Sequence, residues 1–134
     1  MTITIKYKRP ARRSPLATAQ LIVLNARSYA DEKQREVSRY RFSADALKRL
    51  SNRQRLHDGF LNDVDDELFG LGWIFARRSE SEFAVIDDAK ATAWPKLGPK
   101  RLKESGLLAK DDEAIDDEYW KLFPPSDFDE NDVE

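Results

Sequence analysis

The sequence predicts one α+β domain followed by an acidic extension, and three observations carry that prediction. A helical pattern opens behind a hydroxyl and a proline at Ser14 and Pro15. A longer one runs through the fifties and sixties to a glycine stop. Two strand-forming runs, 73–76 and 83–86, then flank a stretch of charged and hydroxylated residues. At 134 residues with 40% hydrophobic and 36% charged content, the chain is long enough for one real core and polar enough for well-solvated faces.

The first residues, 2–7, alternate and are β-branched, which predicts a short strand. Lys6, Lys8, Arg9, Arg12 and Arg13 then form a basic arm around Pro10. Such an arm is able to track a phosphate backbone or to enter a groove, and it equally suits a solvated terminus. Residues 1–14 are read as this arm and strand. Ser14-Pro15 supplies a hydroxyl cap and a proline whose missing N–H costs nothing at a first helical position. A helix is predicted from Leu16 to about Lys33, with Leu16, Ala19, Val23, Ala26 and Ala30 on one face. The run 21–24 alone would also suit a buried strand, but the cap and the alanines favour helix. Over 35–42, Ser38, Tyr40 and Phe42 alternate with Arg39 and Arg41, a strand pattern with one basic face. Ser43 caps a short helix over 44–50 that tertiary packing must hold.

Ser51-Asn52-Arg53-Gln54 matches a capping box, so the next helix is predicted to start there. Leu56, Phe60, Leu61, Val64, Leu68 and Leu71 keep one face apolar, and Gly70 and Gly72 allow a stop. The hairpin follows, rich in strand formers, with Asp87-Asp88 closing it. Gly98-Pro99 predicts a turn opening a short basic helix over 100–103, which Gly106 ends. In 111–123, Ile115, Tyr119, Leu122 and Phe123 share a helical face behind six acids, and Pro124-Pro125 stops it. From 126 onward the chain is acidic around a lone Phe128 and is expected to be disordered.

Helix, strand, short helix, long helix, hairpin: over residues 15–88 this order resembles the winged helix-turn-helix family. The resemblance rests on element order and on no diagnostic motif. Residues 15–105 are therefore read as a winged-helix-like domain, and 106–134 as an acidic extension with a short amphipathic helix. The resemblance implies duplex DNA as partner, with the N-terminal residues of the long helix, Arg53, Arg55 and His57, in the major groove. Arg55 is the candidate for a base edge, because a guanidinium grips guanine bidentately. Lys48, Arg49 and the wing residues Arg77 and Arg78 would hold phosphates, aided by Arg12 and Arg13. Against this stand Asp63, Asp65, Asp66 and Glu67 on the same helix, which repel phosphate.

Charge is segregated. Residues 1–60 carry 14 Lys/Arg against 5 Asp/Glu, and residues 61–134 carry 9 against 20. The basic half suits phosphate; the alternative is that the halves pair with each other or are solvated. The acidic segment carries Tyr119, Trp120, Leu122, Phe123 and Phe128, and is expected to bind a protein partner, to mimic nucleic-acid charge, or to cover the basic face. Trp73 is assigned to the core, and Trp120 is the best candidate for a partner contact.

Enzyme signatures are weak. No cysteine is present, and His57 is the only histidine, so thiol chemistry and His-rich metal sites are excluded. The carboxylates at 63–67 lack the glycine and spacing of a calcium loop, and no glycine loop cradles phosphate. Asp88-Ala89-Lys90 resembles half of a metal-dependent nuclease motif, a tripeptide common by chance. No catalytic residue, cofactor or metal is assigned, and an enzyme is not expected. No apolar run is long enough to span a bilayer and residues 1–5 lack a signal-peptide core, so no membrane partner and a cytoplasmic location are expected. A small regulator is often a homodimer, but no heptad marks a seam. The expectation is a small non-enzymatic DNA-binding regulator with an acidic tail. The alternative is an inhibitor or nucleic-acid mimic acting on another DNA- or RNA-handling protein.

Overall fold

A computed structural model describes residues 11–126. The expected strand at 2–7, the arm residues Lys6, Lys8 and Arg9, and the tail with Phe128 lie outside the described residues. The chain divides into two units, Met1–Trp94 and Pro95–Glu134. The division falls after Trp94, ahead of the boundary expected near 105.

The first unit has the order α1 (Pro15–Lys33), β1 (Arg39–Ser43), α2 (Ala44–Ser51), α3 (Asp58–Gly70), β2 (Trp73–Ser79), β3 (Glu82–Asp87) and a short α4 (Asp88–Ala91). The strands form one antiparallel sheet in the order β1-β3-β2. It is an α+β fold whose order and pairing are compatible with a winged-helix-like topology.

Helix α1 starts as its cap predicts. The Ala17 amide donates to Ser14 Oγ at 3.0 Å, and Gln34 ends the helix in the left-handed region at φ 54°. Its buried residues are Thr18, Ala19, Ile22 and Ala26. The buried face is therefore turned from the expected one: Leu16 is exposed, and Ile22 rather than Val23 lies deepest. Small residues at 19 and 26 let α3 pack closely, and Thr18 satisfies its hydroxyl by donating to the Ser14 carbonyl at 2.9 Å.

The predicted capping box at Ser51 is not formed. Ser51 is the last residue of α2, fully buried, and its hydroxyl donates to the Leu47 carbonyl at 2.8 Å. Asn52 takes the left-handed conformation at φ 54° and caps α2 from behind, a role its short polar side chain tolerates. A helix start needs extended backbone at the cap, so Ser51 is unable to begin α3 while it completes α2. Helix α3 begins instead at Asp58, with His57 at the cap position and no side-chain cap bond. Phe60, Leu61, Val64 and Leu68 are buried as their spacing predicts, while Leu56 precedes the helix and Leu71 is exposed at its end. Gly72, at φ +87°, turns the chain into β2. The residue is glycine because a side chain is strained at that angle.

On the inner face of the sheet, Phe42 pairs with Phe83, and Phe75 with Val85. Phe83 meets Phe75 at 5.3 Å and Phe42 at 5.8 Å between ring centroids. This face and the three helices enclose the core of Ile22, Leu47, Val64, Leu68, Phe83 and Val85, and Trp73 joins it as expected.

The second unit contains α5 (Lys100–Glu104), a 3-10 turn (Leu107–Ala109) and α6 (Asp112–Leu122). Gly106, at φ +85°, separates the first two. Asp111 caps α6 by accepting from the Ala114 amide at 2.9 Å. None of the described residues of this unit is fully buried.

Candidate nucleic-acid interface

The feature that gathers charge in the first unit is the end of α2. The last carbonyls of a helix lack intrahelical donors and carry partial negative charge, so cations settle there. The described end of the arm, residues 11–13, lies across this end. The Arg13 amide donates to the Ser51 carbonyl at 2.9 Å, and Arg13 Nη1 to the Leu50 carbonyl at 2.8 Å. Asn52 Nδ2 reaches back to the Ala11 carbonyl at 3.0 Å, and Arg53 Nη2 to the Arg13 carbonyl at 3.0 Å. The Arg53 amide completes the cap on the Lys48 carbonyl, and its guanidinium stacks 3.8 Å over the Phe60 ring.

These bonds bring Arg12, Arg13, Lys48, Arg49, Arg53 and Arg55 to one neighbourhood. From residue 46 to residue 57 there is no carboxylate. Arg13 and Arg53 are largely committed to the backbone. Arg12, Arg49 and Arg55 are exposed, Lys48 is half-buried, and none of the four joins an ion pair among the described residues.

The other expected contacts fall differently. Arg53 and Arg55 stand in the connection before α3, not on its first turn, and the exposed His57 only marks the helix start. Helix α3 itself carries no lysine or arginine, and Asp58, Asp63, Asp65 and Asp66 are exposed along it. In the β2–β3 hairpin, Arg77 pairs with Asp58 at 3.2 Å and Arg78 pairs with Glu82, so each has a carboxylate beside it at the surface. Sequence reasoning missed Asn52, whose left-handed backbone and amide together seat the arm. The signal was an asparagine directly behind a short helix.

Lys90, half of the nuclease-like tripeptide, bonds Glu36 Oε1 at 2.6 Å. That hydrogen bond and the Glu36 charge raise its pKa and keep it an ammonium. On α6, Tyr119 stacks edge-on against Trp120 at 5.0 Å and lies 5.1 Å from Phe123. Trp120 Nε1 donates to Asp116 Oδ1 at 3.1 Å, and Ile115, Tyr119, Trp120, Leu122 and Phe123 are all exposed.

Between α1 and β1, Tyr40 sends its hydroxyl to the Ile22 carbonyl at 2.5 Å. Burial pushes its pKa up to about 12, with the Asn25 side chain offsetting part of the rise. The folded protein therefore holds this proton more tightly than the unfolded chain. Stability is expected to be intact below about pH 10, the ordinary tyrosine value, and to fall as pH rises through 12. Phenolate absorbance should show one late-titrating tyrosine, and Tyr40→Phe should remove both that step and the alkaline loss. A Tyr40 step near pH 10 would contradict this.

No family model, curated protein or solved structure matches the chain.

Proposed function

We propose that the chain is a non-enzymatic, winged-helix-like protein that binds duplex DNA through the phosphate backbone, using Arg12, Lys48, Arg49 and Arg55. The observation that supports this reading is the arm bound across the end of α2, which concentrates cations over a carboxylate-free stretch. On this reading α3 does not read base edges, because its exposed side bears carboxylates and no cation. Recognition then follows duplex shape and charge, with weak sequence selectivity.

About four phosphate contacts imply a logarithmic salt slope near −3.6, or a roughly 100-fold loss of affinity between about 50 and 200 mM salt. Titration of the full chain into a labelled 20-base-pair duplex across that range measures it. A slope near zero, or no binding at the lowest salt, would remove the nucleic-acid reading. The uncovered apolar stripe of α6 supports the second reading, a protein-binding module acting through Tyr119, Trp120 and Phe123, and that reading would then take its place.

A further inference from the structure

Two hollows lie side by side along α1 of the first unit. One, of about 310 Å³, is lined by Asn25, Ala26, Tyr29, Val37, Tyr40 and Arg41. The next, of about 380 Å³, shares Asn25 and continues over Phe42, Ala46, Arg49 and Leu50. They meet at Asn25 and make one trough between α1 and the β1–α2 segment. Its floor is apolar. Val37, Tyr40, Ala46 and Leu50 pack against the core from outside and stay partly accessible. The floor is also firm, since the Tyr40 hydroxyl is tied to the α1 backbone.

The rim is cationic. Arg41 borders the first hollow and Arg49 the second, while Lys33 lies 5.8 Å from the centre of the Tyr29 ring. Asp45 is the single carboxylate in either lining. Arg41 does reach Glu82 at 3.4 Å, but its own side chain is mostly in solvent, such a pair is worth about 1 kcal/mol or less, and Glu82 keeps Arg78 as a second partner. A carboxylate arriving over the trough can therefore displace it. Asn25 and Ser43 add neutral polar groups at the rim.

We infer that this trough is a docking site for a short acidic segment of a partner protein carrying two large apolar side chains. One side chain fills each hollow, and flanking carboxylates meet Arg41 and Arg49. Charge complementarity selects this occupant. A basic segment would meet two arginines, and a nucleic acid would leave the apolar floor uncovered. The inference is independent of the DNA reading, with which it shares only Arg49.

The test uses the full chain and three synthetic 14-residue peptides. The first places leucine and phenylalanine four residues apart among aspartate and glutamate. The second has the same composition with the two apolar residues adjacent. The third replaces every acid by lysine. Binding is followed by amide NMR shifts, with Asn25→Trp filling the junction of the hollows and Arg41→Gln removing a rim charge. The first peptide should shift amides of residues 25–29 and 37–50. Its affinity should fall about tenfold in each variant, the loss of one charge-assisted contact or of an apolar anchor. DNA binding should be the same in both variants, which separates this inference from the reading above.

Equal binding of all three peptides, shifts confined to other residues, or no binding at millimolar peptide would overturn it. So would unchanged affinity in both variants. A concentration-dependent dimer abolished by Asn25→Trp would give the trough to a second copy of the chain and overturn it too.

Discussion

Replacing Lys48, Arg49 and Arg55 together by glutamine is expected to weaken duplex-DNA binding roughly 100-fold at about 150 mM salt. Each lost phosphate contact removes close to one unit of salt slope, so the slope should flatten by about three. Glutamine is the right replacement for two reasons. It keeps an unbranched polar side chain of similar helix propensity. It also avoids placing a negative charge at the end of α2, where the last carbonyls already carry one. Lys48 and Arg49 sit in the last turn of that helix, so glutamate there would confound binding with stability. The Arg13 and Arg53 bonds that seat the arm are left intact. Fluorescence anisotropy against one duplex at several salt concentrations measures both quantities. A change below threefold, with the slope unaltered, would show that the cationic end of α2 does not face phosphate.

Phe83→Ala should be the most destabilising single change in the first unit, at about 3–5 kcal/mol. Phe83 is only 2% exposed and occupies the middle strand. Its ring packs against those of Phe42 and Phe75 on the inner face of the sheet, so truncation loses the transfer energy, leaves a cavity, and removes two aromatic contacts. A domain of this size is stable by about 5–15 kcal/mol in total, so the variant is expected to unfold at much lower urea. Phe69→Ala is the matched control. That ring is 75% exposed on α3, and its loss should stay within about 0.5 kcal/mol. If the two variants unfold at the same urea concentration, the core assignment is wrong.

Caps and periodicity were readable where one signal had no competitor. Ser14 with Pro15, and Ser43, each cap the helix expected of them. The alternation of Tyr40 with Phe42 located β1, because a strand with one buried face has period two, and the strand-forming run 83–86 located β3. Ser51 failed for a specific reason. A serine followed three residues later by glutamine marks a helix start, but a serine is also able to return its hydroxyl to the carbonyl four residues back. Only the packing of Leu47 and Ser51 into the core selects the second use. Moving the start of α3 to Asp58 then carried Arg53 and Arg55 off the helix.

Electrostatics divided in the same way. The contrast between a basic first half and an acidic second half is a property of composition, and folding leaves it unchanged. Which cations have a carboxylate beside them is a property of distance. Arg77 and Arg78 look as free in the sequence as Arg49 and Arg55, yet the return of the hairpin sets Glu82 beside Arg78, and Asp58 lies against Arg77. Such partners are separated in sequence by four and nineteen residues, and only a defined chain path brings the second pair together.

By itself, then, the sequence determined the presence of the longer helices, the hairpin and the apolar face of α3, since these follow from propensities and spacings along a few consecutive residues, while the buried face of α1 came out turned. Tertiary structure alone decided where α3 begins, that the arm closes the end of α2, and that two hollows meet at Asn25. Each depends on the burial and hydrogen bonding of residues far apart in the chain. The free energy of a buried hydroxyl or a capped carbonyl is set by what surrounds it, and that is absent from any local window.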